Sequence, residues 1–247
     1  MFVIHNAEVT GLFITSDNVR RWRLMALYHP GRGESIHDFT HERCAELVRA
    51  GIGRADIPVR IERVRLWEVS AQLASRFRGG RGFLAGDAAH LCTPWGGFGM
   101  NCGIQDAHNL AWKLAGVVEG WAGEALLDSY EAERRPIARW TIDESVRNMH
   151  YELPSSASEH GRRAAHARRR SDGLILGYAY TSTAVLPDGS ATPQVDDPYA
   201  DYVPTARPGH LAPHVWLQRA GAAQTREPAR VAAAERKHGG RPAGHRR

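Results

Sequence analysis

The chain has 247 residues, enough for one or two domains with a sizeable core, and its 43% hydrophobic and 24% charged content excludes a disordered protein. The net charge of +5 would suit an acidic partner, but residues 217–247 hold eight Lys or Arg against two Glu, and the remainder carries 24 basic against 25 acidic residues. The near-neutral body excludes nucleic acid as a partner of the folded part, no run approaches the ~20 apolar residues of a membrane span, and Cys44, Cys92 and Cys102 lack the CxxC spacing of a zinc ribbon or a disulfide framework. The N-terminus carries no signal pattern, so a cytoplasmic location is expected.

Residues 1–78 alternate short apolar runs with turns. FVIH, GLFIT and WRLMALYH read as strands, separated by Ser16-Asp17-Asn18 and Pro30-Gly31. IHDFTHERCAELVRAGIG reads as a helix with Ile36, Phe39, Cys44, Leu47 and Val48 on one side and Gly51 and Gly53 as stop signals. PVRIERVRLWEV alternates Val59, Ile61, Val64 and Leu66, the pattern of a half-buried strand. The first part is thus a mixed sheet with a helix.

Residues 79–150 carry the chemistry. Gly82-Phe83-Leu84-Ala85 reads as a short buried strand ending at Gly86-Asp87, the end of an α/β strand where ligands bind. The short carboxylate of Asp87 can accept hydrogen bonds from sugar-like hydroxyls, or cap the helix that follows. Gly96, Gly97 and Gly99 permit positive φ and close backbone approach, or form only a turn. A helix is expected from Met100-Asn101, with Ile104, Ala107, His108, Ala111, Trp112, Ala115 and Val118 as its apolar stripe. A glycine-rich loop entering a helix N-terminus suits an anionic ligand. His90 and His108 read as packing residues. Gln105, Asp106, Asn109 and Lys113 read as helix-surface or interdomain hydrogen-bonding groups. His90 with Cys92 and Cys102 lacks the fourth ligand and the spacing of a metal site. Residues 151–216 form a connector and 217–247 a basic tail expected to be disordered.

The ordered string GDAAH, Pro94 to Asn101, then IQDAHNLAWKL resembles the second flavin-binding segment of the p-hydroxybenzoate hydroxylase-like FAD monooxygenases. The likeness continues through LLDSYEAERRPIA, which looks like the family's next helix pair, where Pro136 should start or kink a helix. LGYAYTSTAVLPDG and DYVPTARPGHLAPHVWL resemble the link to a thioredoxin-like domain, in the wording of the phenol and aromatic-polyketide hydroxylase branch. The resemblance covers roughly residues 60–217 strongly and the first sixty weakly. It implies FAD as cofactor, NADH or NADPH as reductant, and an aromatic or phenolic small-molecule substrate hydroxylated by dioxygen through a flavin C4a-hydroperoxide. It also implies roles for Gly86, Asp87, Pro94, Gly96, Gly97, Gly99, Met100 and Asn101. Asp87 would bond the ribityl chain or the nearby pyrophosphate region, and the backbone from Gly97 to Asn101 would face the pyrimidine edge of the flavin. Pro94 would lie near flavin and substrate. In this family the chemistry belongs to the cofactor, so no protein nucleophile or paired-carboxylate constellation is needed.

A strand–GxGxxG–helix unit is missing, since GRG at 31–33, GIG at 51–53 and GGRG at 79–82 do not follow that arrangement. Trp95 stands where a smaller residue is commoner in the motif. The expected fold class is α/β, or mixed α+β: an incomplete FAD/NAD(P)-binding-type fold with part of the substrate-domain sheet. A truncated form, covering the C-terminal portion of the family's catalytic region, is the expectation that follows. Two other readings remain open at this point, a non-catalytic partner for a separate N-terminal half and a nucleic-acid binder acting through its tail. Apolar faces left without their partner layer are expected to favour self-association.

Overall fold

The computed structural model describes residues 2–152 and 170–214. The basic tail at 217–247 and the connector residues 153–169 and 215–216 lie outside the described residues. The chain divides into two compact units, Met1–Glu68 and Val69–Arg247.

In the first unit, β1 (Phe2–His5), β2 (Thr10–Thr15) and β3 (Trp22–Ala26) form an antiparallel sheet in the order β1-β2-β3, with Phe2 opposite Phe13 and Phe13 opposite Leu24. Both connections are closed by side chains that bond their own backbone. Asn6 Oδ1 accepts from the amides of Glu8 and Val9, and Asp17 Oδ1 accepts from those of Val19, Arg20 and Arg21. Helix α1 (His41–Ile52) starts at Thr40, whose hydroxyl accepts from Arg43 N, and stops at Gly53 in the left-handed conformation (φ 76°). Leu47 of α1 completes a core with Ile4, Val9 and Phe13 of the hairpin. Alternation at 58–69 does not produce a strand, because the segment finds no strand to pair with, and Leu66 and Trp67 are each 55% exposed.

The second unit is mainly helical. Two hairpin-like pairs precede its long helices: β4 (Gln72–Leu73) pairs with β7 (His90–Leu91), and β5 (Arg78–Gly79) with β6 (Gly82–Phe83), both antiparallel. The expected buried strand at 82–85 is therefore the short arm of a hairpin, and Leu84 beyond it is 39% exposed. Every strand pair among the described residues is antiparallel, which puts the mixed fold on the α+β side. Helix α2 (Phe98–Val118) begins two residues before the expected start and packs on α3 (Asp128–Glu152). A 3-10 turn at Glu124–Leu127 joins them, and α3 runs through Pro136 without ending there. Phe77, Ala89, Cys102, Tyr130 and Ala138 make the core between these elements. A second cluster of Phe98, Leu174 and Tyr199 ties the short helix Asp172–Leu176 to the start of α2.

The orientation of α2 reverses the sequence expectation. Its buried positions are Phe98, Cys102, Asp106, Asn109, Lys113 and Gly116, at helical spacing. The expected apolar stripe faces outward, with Ile104 59% and Val118 84% exposed, Trp112 stacked on Trp121 at the surface, and His108 also exposed.

Candidate functional site

The candidate segment is a turn, a two-residue strand, a loop and a helix start. Gly86 opens a 3-10 turn, Gly86–Ala88, in the left-handed region (φ 58°). That turn lies directly on α2 at Gly103, where an added Cβ would come within 3.1 Å of Gly86 Cα. Asp87 at the crest of the turn is exposed, and among the described residues it has no hydrogen-bond or ion-pair partner. After β7, Thr93 is buried and anchored to α3: its amide donates to Ser145 Oγ (3.1 Å) and its hydroxyl to the Ser145 carbonyl (2.7 Å).

Pro94, Gly96 and Gly97 follow on the surface, and the Gly97 amide closes back on the Pro94 carbonyl (3.2 Å). Gly96 (φ 106°) is a required glycine, since a Cβ there would meet the Phe98 ring at 2.2 Å. Gly97 (φ 67°) caps α2 with backbone alone, and among the described residues no side chain caps the start of the helix. Gly99 is half-buried, Met100 is 74% exposed, and exposed Asn101 donates its amide to the Gly97 carbonyl (3.0 Å). Turn 86–88 thus packs on α2 at Gly103, within two turns of the helix start. Two clefts elsewhere, one around His29, Arg32 and Asp38 and one around Arg76, Arg78 and Arg135, include none of these residues.

Beneath this surface lies a polar network around Asp106, Asn109 and Lys113, which the sequence reading put on the helix surface or in interdomain hydrogen bonds and which are buried here. Asp106 is fully buried and accepts three hydrogen bonds: Gly86 N (3.0 Å) and His90 Nε2 (2.7 Å) on Oδ2, and Arg134 Nε (2.7 Å) on Oδ1. Arg134, equally buried, also donates to the Cys102 carbonyl (3.1 Å) and to Tyr180 Oη (3.0 Å). One helical turn further on, Glu133 accepts from Asn109 (2.6 Å), Lys113 (2.7 Å) and Ser182 Oγ (2.7 Å). The spacing of Asp106, Asn109 and Lys113 was the available signal, because polar groups at i, i+3 and i+7 share one helix face.

The charges follow from these contacts. Burial alone would raise the Asp106 carboxyl, but His90, Arg134 and the Gly86 amide hold it below its ordinary value. Burial opposes charge on His90, yet the Asp106 carboxylate and the neighbouring Cys102 and Cys92 thiols push the imidazole up to about 11. Burial lowers Lys113, partly offset by Glu133. His90 is a buried packing residue, as its position in the sequence suggested, with a specific partner. His90, Cys102 and Asp106 offer ligand atoms within 4.8 Å of one another, but both carboxylate oxygens are taken and the Arg134 guanidinium, in contact with Asp106 and Cys102, already supplies the cation.

The family model described as FAD binding domain matches residues 1–145. The chain belongs to that family, the FAD-dependent aromatic and polyketide hydroxylases. It is 47% identical over 201 residues to the tetracenomycin A2 monooxygenase-dioxygenase of Streptomyces glaucescens, covering 81% of this chain and 34% of that one. It is 47% identical over 192 residues to the 4-methyl-5-nitrocatechol 5-monooxygenase of a Burkholderia species, covering 76% and 34%. The structure of aklavinone-11 hydroxylase in a ternary complex with FAD and aklavinone aligns with a TM-score of 0.74 and 35% identity, covering 89% of this chain and 40% of that one. The chain therefore spans between 34% and 40% of the length of these relatives.

The surface residues fit a flavin dinucleotide by their chemistry. FAD offers hydroxyl donors, anionic phosphates and a ring edge that gains negative charge on reduction. Opposite them stand an unpartnered Asp87 acceptor, uncapped amides at the positive end of α2, and glycine backbone at Gly97 with open space around it. No described helix is long and apolar enough to cross a membrane.

Proposed function

We propose that this chain provides the flavin-ring side of an NAD(P)H- and dioxygen-dependent aromatic hydroxylase site. In this reading Asp87 accepts hydrogen bonds from the ribityl hydroxyls or the nearby pyrophosphate region of FAD. The amides of Gly97 to Asn101 face the pyrimidine edge, where the α2 dipole stabilises negative charge. Gly86, Gly96 and Gly99 shape the backbone for close approach, and Pro94 lies near the ring and the substrate. When bound, FAD supplies the redox chemistry: it takes electrons from NADH or NADPH and activates dioxygen toward an aromatic or phenolic ring. The protein orients the ring and excludes water. The reaction belongs in the cytoplasm, where the reduced nicotinamide is available.

The observations that support this most directly are the uncapped start of α2 and the unpartnered Asp87 on a turn that packs on the same helix at Gly103. The test is the visible absorption spectrum of the purified chain, before and after incubation with excess FAD and desalting. Retained flavin bands that Asp87→Ala weakens at least severalfold are the expected result. Full retention by the variant refutes the role of Asp87, and no retention by the parent chain refutes independent FAD binding.

A second reading is favoured by the outward apolar face of α2, with Met100, Ile104, Trp112 and Val118 all exposed. Here the chain is a non-catalytic partner for a separately supplied N-terminal half and becomes yellow only when co-expressed with it. Nucleic-acid binding through the basic tail ranks last, and that segment lies outside the described residues.

A further inference from the structure

The polar network beneath the turn has a use that the proposed chemistry leaves open. Asp106 Oδ2 bonds both ends of a five-residue segment, the amide of Gly86 and the Nε2 of His90, with Asp87 between them. Its other oxygen is held by Arg134 from α3, so the carboxylate is fixed from a second helix and stays ionised in the interior. Arg134 in turn bonds Tyr180 and Gln105, which leaves the clamp little freedom to shift. One turn earlier on the same face, the missing side chain of Gly103 lets Gly86 lie against the helix.

We propose that Asp106 is a positioning residue that acts through Asp87: by clamping Gly86 and His90 to α2 over Gly103, it sets the turn in which Asp87 meets its ligand. The inference rests on the reading of Asp87 as an FAD contact. A buried ion pair serving stability alone would loosen the whole unit when broken. The clamp loosens one turn.

Two readouts separate these outcomes. The first is amide hydrogen exchange of the full chain without FAD. Asp106→Asn keeps the side-chain size but removes the charge and one acceptor, and it should accelerate exchange at residues 86–90 about tenfold more than at the α3 residues around Ser145. Gly103→Ala should do the same with every charge in place, which keeps the test intact if the Asn variant fails to fold. The second readout is a double-mutant cycle on FAD affinity, followed by flavin fluorescence. Asp106→Asn should weaken binding about tenfold, and Asp87→Ala with Asp106→Asn should bind no worse than Asp87→Ala alone.

Unchanged exchange at 86–90 in the variants, or acceleration spread evenly through α2 and α3, overturns the clamp. Additive losses in the cycle overturn action through Asp87. If the parent chain binds no FAD, the reading of the ligand fails by itself, and the exchange experiment still decides whether Asp106 holds the turn.

Discussion

The two faces of α2 carry opposite chemistry from what their surroundings would suggest. Its inner face is lined by Cys102, Asp106, Asn109 and Lys113, and its outer face by Met100, Ile104, Trp112 and Val118. Inside, charges are admitted only because each meets a partner: Asp106 with Arg134 and His90, Lys113 with Glu133. Outside, the apolar side chains are largely exposed, and Trp112 stacks on Trp121 and lies against the Lys113 ammonium. The difference teaches that a helix can be seated by hydrogen-bond geometry on one side while its hydrophobic side stays available for other contacts. Packing that is directional fixes the turn carrying Asp87 more tightly than apolar contact would, since a carboxylate specifies both distance and angle.

If the inner face is a paired network, breaking it at its most connected member has the largest effect. Arg134→Ala removes the partner of Asp106 Oδ1 and the bonds to Cys102, Gln105 and Tyr180. The expected cost is about 3–5 kcal/mol, since a buried carboxylate keeps its desolvation penalty after losing an ion partner. Urea unfolding of the variant beside the parent chain measures it. A loss under about 1 kcal/mol would mean that water reaches Asp106 and the face is not sealed.

A smaller effect comes from pH. The folded His90 imidazole is held up at about 11 against an ordinary 6.5. A group raised on folding contributes stability that is complete below the unfolded value and is lost as pH rises through the folded one. The Asp106–His90 pair should therefore weaken steadily between pH 6.5 and 11. Urea midpoints at pH 6, 8 and 10 for the parent and for His90→Gln isolate this group from the others that titrate in the window. The gap between the two proteins should narrow as pH rises; a constant gap would mean that folding does not raise the His90 imidazole.

How much of this was legible beforehand depends on how local the cause is. The strands of the first unit and the end of α1 follow from turn residues and a glycine stop beside them, whereas the helix expected from Ile36 begins only at His41, because a 3-10 turn at Ile36–Asp38 and the Thr40 cap intervene. The length of α2 was legible from its periodicity to within two residues. Its orientation was not, because periodicity marks two faces without saying which one is covered. Apolar residues at 104, 107, 111, 115 and 118 and polar ones at 106, 109 and 113 are both regular. What chose between them are residues distant in the chain: Glu133, Arg134, Tyr180 and Ser182. The alternation at 58–69 failed for the same reason in reverse, since a strand needs a partner that the segment itself cannot encode. The proposed binding residues, from Gly86 to Asn101, were legible as a string, whereas the buried network around Asp106 was legible only as unexplained polar positions.

The outer face offers the smallest effect on folding and the sharpest contrast with the inner one. Ile104 and Val118 are 59% and 84% exposed, so their side chains contribute little buried area to the fold. Replacing both with Glu should change the unfolding free energy by less than about 0.5 kcal/mol, the usual range for surface positions. The same change should reduce self-association, because an apolar stripe running about 20 Å along the helix is disrupted near both ends by charge. Sedimentation velocity at rising concentration reads this directly, with Arg134→Ala as the contrasting variant that loses stability instead. A double variant that unfolds as easily as Arg134→Ala would show that the face is covered from within the chain. Equal association by parent and variant would move the contact to another surface and leave the outer face of α2 for a partner that the inner network does not provide.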